Sequence, residues 1–157
     1  MGEELAEATR GVFQATCSVV ARRSINSTIM LCEQSLVNAN AGIEHWLLSD
    51  LSRDMPTTDG KGDRSYRACR LGFAKVNGEW HLVVQRLTKE CYVEDLGGGD
   101  HDEGWCVQNT EAPTLLSQAS RDLRIAALEQ LPELIQQLTT KARQGITTIE
   151  RAQKLVS

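Results

Sequence analysis

Residues 91–106, CYVEDLGGGDHDEGWC, concentrate the residue types that could do chemistry in this chain. Two cysteines bracket one histidine, five carboxylates and three consecutive glycines. Such a set could bind a metal ion, close a disulfide loop, or form a hydrated hairpin tip.

A metal site is less favoured than a hydrated tip. Structural zinc takes four ligands, usually in short pairs such as Cys-x-x-Cys, whereas Cys91 and Cys106 are fifteen positions apart with only His101 as a further nitrogen ligand between them. The acids lack the spacing and closing glutamate of an EF-hand loop, and no Lys-Ser or Lys-Thr follows the glycines as in a phosphate loop. We therefore expect a flexible, solvated tip between two strands and no bound metal.

The segment SRDLR, residues 120–124, is the second candidate site. Ser120 is a suitable N-cap for the helical pattern that follows, and Asp122 suits the positive end of a helix dipole. Arg121 and Arg124 oppose that dipole, and two guanidiniums beside free helix amides could hold a phosphate or carboxylate. Alternatively, both arginines pair with acids of the sheet or of a second chain, or the helix begins earlier, at Thr114.

The aromatic residues divide into two groups. Trp46 and Trp80 lie in strand-like runs, where a tryptophan usually belongs to the core. Trp105 borders the polar, glycine-rich segment, where it could stack on a flat ligand or anchor a partner. The predicted ligand-binding residues are therefore Ser120, Arg121, Arg124 and Trp105.

Composition bounds the function. The chain has 157 residues, a single-domain length, and a net charge of −4, which argues against general nucleic-acid binding. It lacks both an apolar run of about 20 residues for a membrane span and a secretory signal, so we expect a cytoplasmic protein. Five widely spaced cysteines are typical of reduced thiols.

The patterning predicts an α+β fold in one domain, residues 1–157. Apolar residues spaced by three and four predict a long N-terminal helix over 3–41. Residues 43–109 predict an antiparallel β-meander of three or four strands, with an Asn77-Gly78 hairpin turn and an acidic glycine-rich loop at 94–104. Residues 114–156 predict a C-terminal helical pair, or one helix kinked at Pro132.

No nucleophile elbow, zinc-protease helix, dinucleotide fingerprint or kinase motif occurs in the sequence. We expect a non-enzymatic binding protein without a cofactor, acting as a homo-oligomer that captures an anionic small molecule such as a nucleotide. The alternative is a protein-interaction module, a regulator or inhibitor that docks on a partner protein through its helical or sheet surface.

The cysteines give the first testable prediction. If they are reduced and bind no metal, all five will react with a thiol reagent after denaturation without reductant, and elemental analysis will find no zinc. Stoichiometric zinc that is lost in Cys91→Ser or Cys106→Ser would contradict this expectation.

Overall fold

The computed structural model describes residues 25–39 and 42–156. Helix α1, residues 25–38, precedes an antiparallel sheet, and a 3-10 turn at Leu116–Gln118 leads into the C-terminal helix α2, Arg121–Val156. The seven strands of this sheet are β1 His45–Trp46, β2 Ser52–Arg53, β3 Thr57–Thr58, β4 Arg64–Val76, β5 Glu79–Gly97, β6 Asp100–Thr110 and β7 Thr114–Leu115.

The β4–β5 hairpin is the centre of the sheet, and its turn confirms the sequence prediction. Asn77 and Gly78 have φ values of 53° and 87°, the positive values that a two-residue type I′ turn requires. From this turn the pairing runs without a shift from Val76 opposite Glu79 to Ser65 opposite Glu90.

The two outer edges of this hairpin are covered in different ways. Strands β1, β2 and β3 pair in succession with β4, while β6 and β7 pair with β5. Between β5 and β6 there is a bulge, because Asn109 opposes Thr88 whereas Val107 opposes Lys89. Gln108 is thus the extra residue on β6.

Alternation of side chains gives the sheet two distinct faces. We call the side that contacts the helices the helix face. Its core residues are Leu71, Phe73, Leu82 and Val84 from β4 and β5, Ile29 and Leu36 from α1, and Ala127, Leu131, Leu134 and Leu138 from α2. We call the other side the open face, and it carries Tyr66, Ala68, Arg70, Gln85, Leu87, Lys89, Trp105 and Val107.

Helix α2 begins at Ser120 and is buried only in its first half. The Leu123 amide donates to Ser120 Oγ at 3.4 Å and the Arg124 amide to the Ser120 carbonyl at 3.0 Å, so Ser120 is the N-cap. After Leu138 every residue is exposed except half-buried Ala142. We call residues 139–156 the α2 tail. None of the described helices combines the length and apolarity that a membrane span requires.

The α+β class fits this arrangement, but the predicted details of the sheet and the C-terminal helices are wrong. The meander has seven strands rather than three or four, because the open edge of β4 recruits three short segments and residues 114–115 form β7 rather than helix. The predicted loop 94–104 is mostly paired strand, with Gly98 and Gly99 as its turn. Helix α2 continues through the exposed Pro132 instead of forming a pair.

The predicted helix over 3–41 is too long for what the structure describes. Among the described residues, one short helix, residues 25–38, precedes the sheet. The part of the prediction that covers residues 3–24, 40 and 41 lies outside the described residues.

Because only one side of α2 is buried, we expect substitutions at neighbouring positions of this helix to change the free energy of unfolding by very different amounts. Leu134 is 0% exposed and Ile135 is 36% exposed. Leu134→Ala is expected to lower the free energy of unfolding by about 2–5 kcal/mol, because it opens a cavity between helix and sheet. Ile135→Ala, the matched control, should cost less than about 1 kcal/mol. Urea denaturation measures both, and equal losses would contradict the assigned helix face.

Candidate functional site

Three of the four predicted site residues lie together at the start of α2. Ser120 caps the helix and Arg121 is exposed beside it. Arg124 is half-buried, and its Nη1 donates to Asn26 Oδ1 on α1 at 2.5 Å. Its Nε is buried without an acceptor among the described residues. Arg124 therefore links the two helices, and whether it also holds an anion stays a prediction.

The fourth residue, Trp105, lies on the open face, across the sheet from the start of α2. Its ring packs edge-on against Tyr66 with 4.7 Å between the ring centroids, and it is 37% exposed. The structure therefore does not bring Trp105 together with Ser120, Arg121 and Arg124.

The cysteines of the 91–106 segment lie in neighbouring pairs of the β5–β6 ladder, but on opposite faces of the sheet. Cys91 opposes Trp105, and its sulfur accepts a hydrogen bond from Arg64 Nη2 at 3.2 Å. Cys106 opposes Glu90 and donates its thiol to the Glu90 carbonyl at 3.6 Å. Within the part of the chain that the structure describes, no three histidine, cysteine or carboxylate side chains are grouped to hold a metal ion.

The open face contains a charged residue that the sequence analysis did not single out. Arg70 is half-buried in the middle of β4. Its Nε and Nη2 both donate to Gln85 Oε1, at 3.0 and 2.7 Å. Gln85 is itself buried, and its Nε2 donates to the Glu111 carbonyl at 2.9 Å. The guanidinium is thus held in one orientation by a neutral amide.

Trp46 fixes the other side of the guanidinium. Arg70 Cζ lies 4.8 Å from the Trp46 ring centroid, the geometry of a cation–π contact. The ring lies so close to β4 that an added Cβ at Gly72 would be 2.2 Å from Trp46 Cε3. The indole Nε1 donates to Glu44 Oε1 at 2.8 Å. Glycine at position 72 is therefore what lets the tryptophan lie flat beneath Arg70.

The charge of Arg70 lacks a counter-ion among the described residues, in which no carboxylate forms an ion pair with it. Burial lowers the pKa of Arg70, and the nearby Glu44 opposes this shift only through its longer-range charge. An arginine stays protonated even so. A half-buried cation whose partners among the described residues are an amide and an aromatic ring is a favourable place for an anion.

A cavity of about 210 Å³ lies beside Arg70 on the open face. The only carboxylate in its lining, Asp50, is already engaged. Asp50 Oδ1 accepts from Lys89 Nζ at 2.6 Å and Asp50 Oδ2 from the Tyr66 hydroxyl at 2.9 Å. The cavity residues that bear on ligand binding are Leu48, Asp50, Arg70, Lys89, Trp105 and Val107.

A second, shallower depression of about 430 Å³ adjoins this cavity and shares Leu48 and Arg70 with it. Trp46, His45 and Lys141 line its other side. Arg70 therefore stands between a half-open cavity and a shallower depression. We call this arrangement the Arg70 site.

A sequence signal for the Arg70 site exists, although it is faint. With a period of two, β4 places Tyr66, Ala68, Arg70, Gly72 and Ala74 on one face. An arginine among small and aromatic residues breaks the pattern of a solvated face. Arg70 lacks an ion-pair partner because Gln85 beside it is neutral and Asp50 is engaged by Lys89 and Tyr66. These residues are distant from Arg70 in sequence, so the pattern of β4 alone could not show this.

Comparisons of the chain with protein-family models, with curated proteins and with solved structures gave no match. The function therefore has to be inferred from the geometry of the chain itself.

The Asp50–Lys89 pair gives a prediction about the floor of the cavity. The two side chains are 14% and 15% exposed, so removing one charge leaves the other largely desolvated. Asp50→Asn is expected to lower the free energy of unfolding by about 3 kcal/mol. The double change Asp50→Asn with Lys89→Met should recover part of that loss. Chemical denaturation of the three proteins tests this, and a single-mutant cost below about 0.5 kcal/mol would mark an ordinary surface pair.

Proposed function

We propose that this protein is a non-enzymatic binding protein that captures a small anionic ligand at the Arg70 site. The observation that carries the proposal is the half-buried, oriented Arg70 guanidinium without a carboxylate partner among the described residues. A carboxylate or phosphate placed against its free N–H groups would supply the missing charge through charge-assisted hydrogen bonds.

The size of the cavity limits what the ligand can be. At about 210 Å³, it is smaller than the roughly 300–1,000 Å³ of typical small-molecule pockets. It would enclose an anionic group and a small apolar portion against Leu48, Val107 and Trp105. The remainder would lie in the adjoining depression over Trp46. A mononucleotide, or an aromatic or aliphatic acid, belongs to this class.

The titratable groups of the cavity support binding rather than catalysis. Asp50 and Lys89 satisfy one another, and Tyr66 is committed to Asp50. A general acid or base must be within reach of the substrate and able to change its protonation state. Here the carboxylate and the ammonium group bind each other and Tyr66 rather than pointing to a ligand, so their contribution is to shape the cavity.

The test is binding by the 157-residue chain. Thermal shift and calorimetry against phosphate, mononucleotides and small aromatic carboxylates should show saturable binding of at least one of these classes. Arg70→Met should weaken that binding by roughly tenfold to a hundredfold, the equivalent of one or two charge-assisted hydrogen bonds. Arg70→Lys should retain only part of the affinity, because lysine cannot reproduce the planar stack on Trp46.

Two further variants sharpen the result. Arg67→Met is the matched control, since Arg67 is exposed on the same strand but on the helix face. It should bind like the wild type. The double change Arg121→Ala with Arg124→Ala tests the alternative anion site at the start of α2. Binding that survives Arg70→Met but disappears in this double variant would overturn the assignment to Arg70.

The second candidate function is a protein-interaction module. It is favoured by the exposed apolar residues around Arg70, since Leu48 is 88% exposed and Val107 is 44% exposed. In that case the anion would be a carboxylate on the surface of a partner protein, with Trp105 and Arg70 as anchors. Failure of every small anion to bind the wild-type protein would favour this function over the first.

A further inference from the structure

The molecule is elongated, with α2 running along the strands. Leu123 lies in a cleft with Arg86, Gln130 donates to the Asp50 carbonyl, and Gln137 contacts His45. These contacts progress along the sheet toward the β4–β5 turn. The α2 tail, 18 residues or about 27 Å of helix, therefore leaves the body at the end where that turn lies.

The β5–β6 hairpin leaves the body at the opposite end. Pairing between β4 and β5 stops at Ser65 opposite Glu90. Strand β5 then continues with β6 to Gly97, about 23 Å farther. We call residues 91–105 the hairpin tip. The tail and the tip are thus the two far ends of one molecule.

The two ends carry opposite charge. The tail has a net charge of +3, from Lys141, Arg143, Arg151 and Lys154 against Glu150. In the tip, Glu103 is paired with Arg64, and the four remaining acids are Glu94, Asp95, Asp100 and Asp102.

Within the tip the acids repel one another. Glu94 lies directly opposite Asp102 in the ladder, and like charges at such a position destabilise a strand pair. A cationic partner would relieve this repulsion. Tyr92, Val93 and Leu96, which are 47%, 60% and 63% exposed, add apolar surface to the same tip.

From residue 143 onward the described residues of the tail are exposed, so burial contributes little to the stability of this part of the helix. It contains Gly145 and four threonines, which are weak helix formers, and isolated helices of this length are marginal in water. Ile146 and Ile149, which are neighbours on the helix surface, are 57% and 59% exposed. Such a helix would be stabilised by a partner with an acidic and partly apolar surface.

We propose that this partner is the hairpin tip of a second copy of the same chain. The basic tail of one molecule lies against the acidic tip of the next, with Ile146 and Ile149 packing on the exposed apolar residues of the tip. Pairing of two tails is disfavoured because both are positive. Because every copy carries both surfaces at opposite ends, two antiparallel copies can make the contact twice and close a dimer, whereas copies arranged head-to-tail repeat it into a larger ring or an open chain. This inference does not rest on anion binding at the Arg70 site, although Lys141 of the tail also lines the depression beside Arg70.

Charge reversal tests the contact from both sides. The tail variant carries Lys141→Glu, Arg143→Glu and Arg151→Glu, and the tip variant carries Glu94→Lys, Asp100→Lys and Asp102→Lys. At low ionic strength, sedimentation velocity should show wild-type assemblies of more than one chain that shrink at about 0.5 M salt. Each variant alone should be monomeric. An equimolar mixture should assemble again, because each variant retains the surface that fits the other.

The matched control for the tail variant makes the same change in net charge elsewhere. Lys61→Glu, Arg67→Glu and Arg86→Glu alter exposed residues outside both ends, and this protein should assemble like the wild type. Monomeric wild type at low salt, or a mixture that stays monomeric, would overturn the proposal, as would a tail variant that assembles normally.

Chemical cross-linking of the wild-type chain tests the same contact without relying on correctly folded variants. A zero-length carbodiimide should join Lys141 or Lys154 of one molecule to Glu94, Asp95, Asp100 or Asp102 of another. Mass spectrometry of the cross-linked species identifies such peptides, and mixing isotope-labelled with unlabelled chains shows that they join two molecules. Absence of these peptides would count against the contact.

Discussion

The uninterrupted register between β4 and β5 is the constraint on which the rest of the structure depends. It is set at the Asn77-Gly78 turn, and it decides the face of every residue along the two longest strands. Leu71, Phe73 and Leu82 reach the helices as a consequence. A slip of one residue would exchange the two faces of the slipped strand and turn charged residues such as Arg70 or Lys89 toward the core.

Two kinds of environment surround partly desolvated charged groups on the open face. Asp50 and Lys89 neutralise each other, and Tyr66 completes the hydrogen bonding of the carboxylate. Arg70 instead receives an amide oxygen and a tryptophan ring, neither of which carries a negative charge. Because these neighbours already orient the guanidinium, binding of the proposed anion would cost little further conformational entropy.

The parts of the fold that local sequence could predict are those with local causes. The Asn77-Gly78 turn depends on two residues that tolerate positive φ, and the start of α2 depends on the Ser120 cap. Strands β1, β2 and β3 have two residues each, too few for any periodicity. They exist because β4 offers them a free edge, which is a tertiary cause.

The same distinction between local and tertiary causes explains why sequence could not predict the β5–β6 hairpin or the surroundings of the candidate site. A two-stranded ribbon that is exposed on both faces can have the same acidic, glycine-rich composition as a solvated loop. Residues 94–104 therefore could not be assigned to strands from sequence. Trp105 could be singled out from sequence as a candidate for binding, but its neighbours could not. Its contact with Tyr66 depends on the pairing of three strands.

The bulge at Gln108 has a consequence for how this chain can change its length. Before it, the odd-numbered residues Trp105 and Val107 lie on the open face, and after it Asn109 lies on the helix face. Because of the extra residue, odd-numbered residues of β6 lie on the open face before the bulge and on the helix face after it. Loss of Gln108 would remove the bulge but leave the pairs and the face of the indole unchanged, because Val107 and Asn109 already lie on opposite faces. Insertions between the bulge and the glycine turn keep the present faces of the tip only when each strand gains the same even number of residues, because faces alternate with every residue.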